Sequence, residues 1–199
     1  MPNKDSFQKF RRHLYYKFRK IFLYFKNSVN KKKQHNYLFI LSPPFCGSTL
    51  LNELISTSKN ISCNNNIGTR EGQTLPLIKD IMFNENRWDK NKKIPWKKIK
   101  KIWHNYWDLS KPILLDKSTT NIMRINEIRK FFSPIFFIVI VRNPYAQCEG
   151  IIRRNNKSAD FAAKFTLKCL KFQKNNIESG KDILFINYEE ICDSTIKTI

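Results

Sequence analysis

The sequence predicts an α/β fold, a three-layer sandwich with a mostly parallel central sheet, and three observations predict it. Strand-length apolar runs alternate with helical patterns along most of the chain. Pro134 to Val141 (PIFFIVIV) is a continuous apolar run of the kind buried on both faces of a parallel sheet. Tyr37 to Ser58 reads as strand, tight loop and helix start in immediate succession. The 199 residues, 41% hydrophobic, suffice for one domain with a real core.

The elements follow in order. Residues 1–36 form a separate region, in which Phe7, Phe10, Leu14, Phe18, Ile21, Phe22 and Phe25 recur at helical spacing. Lys9, Arg11, Arg12, Lys17, Arg19 and Lys20 fill most other positions. This pattern predicts a basic amphipathic helix that either lies aromatic face down on an anionic membrane or packs on the domain. The run Asn30 to Asn36, with Lys31, Lys32 and Lys33, is a linker into the α/β domain, residues 37–199. Tyr37 to Leu41 is the first strand, and Leu50, Leu51, Leu54 and Ile55 mark the helix after its loop. A short strand-like edge lies within Asn60 to Gly68, and Gln73 to Asn84 carries a helical pattern. A Lys- and Trp-rich insertion follows, with Pro95 opening a helix to Leu109; its Trp96, Trp103, Tyr106 and Trp107 suit either ligand stacking or core packing. The remaining pattern predicts a strand at Ile113 to Asp116, a helix at Asn121 to Phe132, and the apolar strand ending at Val141. Helices at Pro144 to Arg154 and Ala159 to Ser179, a strand at Ile183 to Asn187 and the start of a last helix complete the chain.

The formal net charge of +21 implies an anionic partner: nucleic acid, a membrane surface, or a phosphate- or sulfate-bearing ligand. A solvated Lys-rich surface is the plainer reading of the same excess. No run of about 18 or more apolar residues exists, and no signal peptide is visible. Cys46, Cys63, Cys148, Cys169 and Cys192 show no metal-ligand spacing and read as reduced thiols, which suggests a cytoplasmic protein, membrane-associated if the first helix binds lipid. Cys46 precedes a helix N-terminus, where a thiolate would be stabilised, but filling the loop suits a small residue better.

The strand–loop–helix unit is a place to hold phosphate, because free backbone N–H groups and the helix dipole converge on the loop. It is not a P-loop. The spacing G-x-x-x-x-G-K-[ST] would put its first Gly at Ser42 and its Lys at Ser48, which argues against ordinary ATP or GTP chemistry. Three other strand ends carry polar groups: Asp116-Lys117-Ser118, Val141-Arg142-Asn143-Pro144 and Asn187-Tyr188-Glu189.

These four elements, in this order, resemble the PAPS-dependent sulfotransferases, whose fold is P-loop NTPase-like. Pro44-Phe45-Cys46-Gly47-Ser48-Thr49 matches the 5′-phosphosulfate loop and Val141-Arg142-Asn143-Pro144 the 3′-phosphate element. Asp116-Lys117-Ser118-Thr119 matches the central element and Tyr188-Glu189-Glu190-Ile191 the last one. The resemblance implies transfer of a sulfuryl group from PAPS to a hydroxyl of a carbohydrate, lipid headgroup or tyrosine, releasing PAP without a metal. It implies that Pro44 to Thr49 and Arg142 bind the donor with Gly150 and Tyr188, and that Lys117 stabilises charge on the transferring group. Glu71, in Thr69 to Pro76, is the candidate general base, with His104 as a fallback. An N-terminal helix charge is the plainer reading of Glu71.

Three departures accompany the resemblance. Phe45 stands where the family has a basic residue, and Gly150 where it has a serine; Arg153 and Arg154 are candidate replacement ligands. The chain stops at Ile199, before the segment that covers the nucleotide in the family. A relative that binds PAP, PAPS or anionic glycans without turnover is the alternative function. A P-loop kinase would need the missing Lys, and no specific nucleic-acid partner is expected.

Overall fold

The computed structural model describes residues 4–32 and 34–193. Lys33 of the linker, residues 1–3 and residues 194–199, where the last helix was expected to run on, lie outside the described residues. Five strands, β1 (Asn36–Leu41), β2 (Ile61–Cys63), β3 (Ile113–Lys117), β4 (Ile135–Val141) and β5 (Ile183–Asn187), form one sheet in the order β2-β3-β1-β4-β5. Every strand pair is parallel. β1 is therefore central, and the chain first builds one side of it and then crosses to the other. Its neighbours β3 and β4 end beside it, so three of the four candidate segments emerge together at the crevice where open α/β sheets bind ligands.

Both faces of the sheet are covered, which is why the strands read as unbroken apolar runs. Alternate side chains enter two cores. Phe39, Leu41, Phe137 and Val139 join Trp103, Trp107 and Phe132 on one face. Ile40, Leu115, Ile138, Ile140 and Ile186 meet Leu51 on the other. The β5 side is less enclosed: Leu184 and Phe185 of the edge strand β5 and Phe136 of its neighbour β4 are exposed.

The helices are α1 (Lys4–Asn30), α2 (Ser48–Ile55), α3 (Lys79–Met82), α4 (Trp96–His104), α5 (Ile125–Phe131), α6 (Pro144–Asn155), α7 (Ala159–Ile177) and α8 (Tyr188–Asp193). The helix expected over Gln73 to Asn84 is broken. A single 3-10 turn at Gly72–Thr74 gives way to extended backbone at Leu75, as the following Pro76 demands, and Leu77 sits at φ 67°. The helix expected over Asn121 to Phe132 is a 3-10 segment, Thr119–Met123, and α5, divided at Arg124. Arg124 is buried, and its guanidinium donates to the carbonyls of Asp89 and Lys90 and to Glu127. α4 ends at His104, short of Leu109.

The tryptophan cluster is core. Trp96, Trp103, Tyr106 and Trp107 are all buried. Each indole N–H is satisfied, by Glu127 Oε2 at 2.8 Å, the Gly72 carbonyl at 3.2 Å and the Leu115 carbonyl at 2.9 Å respectively. These rings are unavailable to stack on a ligand, which corrects that part of the sequence reading.

α1 docks on the domain, but not through its phenylalanines. Arg19 donates to the Cys63 and Tyr106 carbonyls at 2.8 and 3.1 Å, Lys26 pairs with Asp108 at 2.7 Å, and Asn27 donates to the Trp107 carbonyl at 3.0 Å. Leu23 is its one buried apolar side chain among those described.

Candidate functional site

The loop between β1 and α2 turns through two left-handed residues, Phe45 at φ 65° and Gly47 at φ 80°. Gly47 is required twice. Its φ favours glycine, and a Cβ there would stand 2.0 Å from the Tyr188 ring. The Tyr188 ring fills the space that the missing side chain leaves. Gly47→Val would therefore disrupt the loop itself. α2 starts with no side-chain cap, so its first N–H groups, at Ser48 and Thr49, are open to an anion.

Arg142 leaves the end of β4 and reaches across to this loop. Its Nη1 donates to the Phe45 carbonyl at 3.0 Å, and its guanidinium lies 4.6 Å from the centre of the Tyr188 ring. Its Nε is buried with no hydrogen-bond partner among the described residues. Two glutamines brace the arrangement. Gln173 of α7 donates to the carbonyls of Leu41 and Ile140, both at 2.8 Å, tying together the ends of β1 and β4. Gln147 of α6 donates to the Pro44 carbonyl at 3.2 Å. Sequence patterns gave no sign of either: an isolated Gln on a helix looks like surface until its burial is known.

Lys117 ends β3 and is 1% exposed. Its Nζ lies 3.2 Å from Thr49 Oγ1 and 3.6 Å from Glu71 Oε1, so it joins the loop to the candidate base. Burial pushes the Lys117 ammonium below its ordinary pKa, while the Glu71 carboxylate pulls it back up. Glu71 is buried and also accepts a hydrogen bond from Gln73 Nε2. Gln73 is held in turn by Thr119 and Thr120, at 2.9 and 2.6 Å. The backbone after Glu71 comes close to β3: a Cβ on Gly72 would stand 2.0 Å from Asp116 Oδ1. Asp116 is fully buried and accepts from Asn64, Ser118 and Asn121 at 2.7, 3.2 and 2.8 Å. Burial pushes its carboxyl up to about 6 despite those donors, and the Glu71 charge adds to the rise.

One cavity of about 480 Å³ collects most of the candidate residues: Pro44, Phe45, Gly47, Ser48 and Thr49 of the loop, with Glu71, Lys117, Arg142 and Gly150. Cys46 and Tyr188 are not in its wall. The Cys46 side chain is buried, and burial pushes its thiol up to about 12, which leaves it a loop filler rather than a nucleophile. His104 is also elsewhere. It faces the Lys100 carbonyl and the Tyr37 hydroxyl on the tryptophan side, so it is no substitute base. Arg153 and Arg154 do line the cavity, Arg153 paired with Glu149 at 2.5 Å. Its wall also includes Phe83, from the stretch read as helical, and Arg87 and Trp88, from the Lys- and Trp-rich insertion.

The two departures at 45 and 150 meet in space. A Cβ on Gly150 would stand 3.0 Å from Phe45 Cβ and 3.1 Å from its Cγ, so the phenylalanine occupies the place a serine side chain would need. Among the described residues, no group of three or more His, Cys, Asp or Glu is placed to hold a metal ion.

Solved structures share this architecture. The sulfotransferase domain from the curacin biosynthetic pathway superposes with a TM-score of 0.58 at 17% identity, over 84% of this chain and 72% of that one. The chain has the sulfotransferase fold. The sulfotransferase domain from the Synechococcus PCC 7002 olefin synthase gives 0.53 at 18% identity, over 85% and 72% of the two chains. A sulfotransferase from Alicyclobacillus acidocaldarius gives 0.53 at 11%, over 83% and 78%. No protein-family model and no curated relative matches the sequence. At such identities the sulfotransferase fold is what the likeness carries, and the chemistry has to be argued from the side chains.

Proposed function

We propose that this protein transfers a sulfuryl group from PAPS to an acceptor hydroxyl and releases PAP. The observation that carries the reading is the shared cavity: the uncapped start of α2 and Arg142 line the same space, together with Lys117 and Glu71. The donor fits these residues. The N–H groups at Ser48 and Thr49 and the Thr49 hydroxyl suit the 5′ end. Arg142, with its buried unpartnered Nε, suits the 3′-phosphate.

PAPS, when bound, supplies the sulfuryl group and the leaving PAP. The chain's residues do the rest by position and charge. Glu71 takes the acceptor's proton as its oxygen bonds to sulfur, held in aim by Gln73. Lys117 offers its ammonium to the charge that builds as the bond to PAP breaks, and its link to Thr49 keeps it beside the 5′ end. The acceptor approaches past Phe83, Arg87 and Trp88, which leaves carbohydrate, lipid headgroup and tyrosine hydroxyls as candidates.

The replacement of the loop's basic residue by Phe45 favours a second reading, a protein that binds PAP or PAPS without turnover. Sulfur-labelled PAPS offered with a panel of these acceptors separates the two. Transfer that disappears in Lys117→Ala and Glu71→Gln supports the enzyme. Tight PAP binding with no transfer to any acceptor class supports the binder.

A further inference from the structure

An apolar helical stripe ordinarily faces its own core; in α1 it faces away. At about 100° per residue, Phe7, Phe10, Phe18, Ile21, Phe22 and Phe25 fall within an arc about 120° wide. All six are exposed, with Phe18 at 66%, Phe22 at 64% and Phe25 at 65%, while Leu14 in the same arc is half-buried. The docked face, with Arg19, Leu23 and Lys26, is a different sector, fixed by the polar ties to Cys63, Tyr106 and Asp108. The stripe thus faces outward because another face of the helix is the one tied down.

The remaining sector of the helix carries Lys17 and Lys20. On that side a hollow of about 610 Å³ opens between α1 and α4, lined by Lys20, Lys31, Lys97, Lys100 and Lys101, with no carboxylate among the described residues of its wall. Lys100 is engaged with the Phe131 carbonyl at 2.7 Å. From Ser6 to Asn30 the helix contains no Asp or Glu.

From this juxtaposition we infer that α1 and the adjoining α4 hollow form a docking surface for an anionic lipid bilayer, with the phenylalanine stripe entering the interface and the lysines meeting headgroup phosphates. The charge distribution selects this occupant. A second copy of the chain would cover the stripe but bring two acid-free, lysine-flanked faces together, whereas an anionic lipid surface complements both the stripe and its flank. No described helix is long and apolar enough to cross a membrane, so the contact is one of lying on the surface. The inference stands apart from the sulfuryl-transfer reading, because none of these residues lines that cavity.

The test is co-sedimentation of the full chain with vesicles of phosphatidylcholine alone and of phosphatidylcholine mixed with phosphatidylserine. The expected result is binding to the mixed vesicles only. Phe18→Ser with Phe22→Ser and Phe25→Ser should weaken it about tenfold or more. Lys20→Gln and Lys97→Gln should each weaken it roughly fivefold, the factor for one surface cation. Circular dichroism checks folding; should the triple variant fail it, Phe18→Ser and Phe25→Ser are measured singly, each with a smaller loss expected. Undiminished binding by the folded phenylalanine variants overturns the inference. So does failure of the wild type to bind mixed vesicles, including the case where sedimentation velocity finds a dimer that the triple variant abolishes.

Discussion

Gly150→Ser puts a side chain into space that Phe45 already fills. The new Cβ would meet Phe45 Cβ, Cγ and Cδ1 at 3.0, 3.1 and 3.3 Å. Relaxed carbon contacts lie at about 3.5–4.0 Å. The loop can yield little, because Phe45 sits at φ 65° and its carbonyl is held by Arg142 at 3.0 Å. Overpacking of this kind costs about 1–3 kcal/mol, against which serine regains a few tenths over glycine inside a helix. The net expectation for Gly150→Ser is a loss of about 0.5–2.5 kcal/mol. Phe45→Gly removes both the ring and its Cβ, and glycine accepts the left-handed backbone. In that background Gly150→Ser should be neutral or slightly stabilising. Urea unfolding of the four proteins closes the double-mutant cycle, with an expected coupling of about 1–3 kcal/mol. Effects that add to within about 0.5 kcal/mol would refute the claim that the two departures compensate each other.

Gln173→Leu takes the donors from the Leu41 and Ile140 carbonyls, and unfolding should report a loss of about 1–3 kcal/mol; a change under about 0.5 kcal/mol would contradict the bracing role. The Asp116 carboxyl, raised to about 6 in the fold from its ordinary 3.8, favours the folded state while protonated, so its contribution is full below pH 4 and is lost as pH rises through 6. Wild type should therefore lose stability relative to Asp116→Asn between pH 4 and pH 7, by on the order of 3 kcal/mol; parallel pH profiles would refute it.

Much of the fold was legible because a parallel sheet buried on both sides writes its strands as continuous apolar runs: β5 falls at the expected Ile183–Asn187, and β1, β3 and β4 within a residue at each end. The candidate site was legible where it rests on strand ends, since the sheet order brings the ends of β1, β3 and β4 together. What the sequence hid depends on tertiary contact. Arg124 breaks a helical pattern to reach two loop carbonyls. The phenylalanines of α1 match the period of a core-facing stripe, and periodicity cannot say that Arg19, Lys26 and Asn27 would anchor the helix by another face. Gln73, Gln147 and Gln173 gain their roles only from burial. Phe45 and Gly150, 105 positions apart, look like two separate losses until they are seen to share one volume.

The central claim is that Arg142 reads a 3′-phosphate in the same cleft in which the Pro44–Thr49 loop holds the 5′ end. Calorimetry with PAP and with adenosine 5′-phosphate, which lacks only that phosphate, tests it on wild type and Arg142→Ala. A preference for PAP worth about 2–3 kcal/mol in wild type and absent from the variant is the predicted result. Loop damage alone would weaken both ligands equally. A variant that keeps the full preference for PAP, or a wild type that has none, would contradict the account.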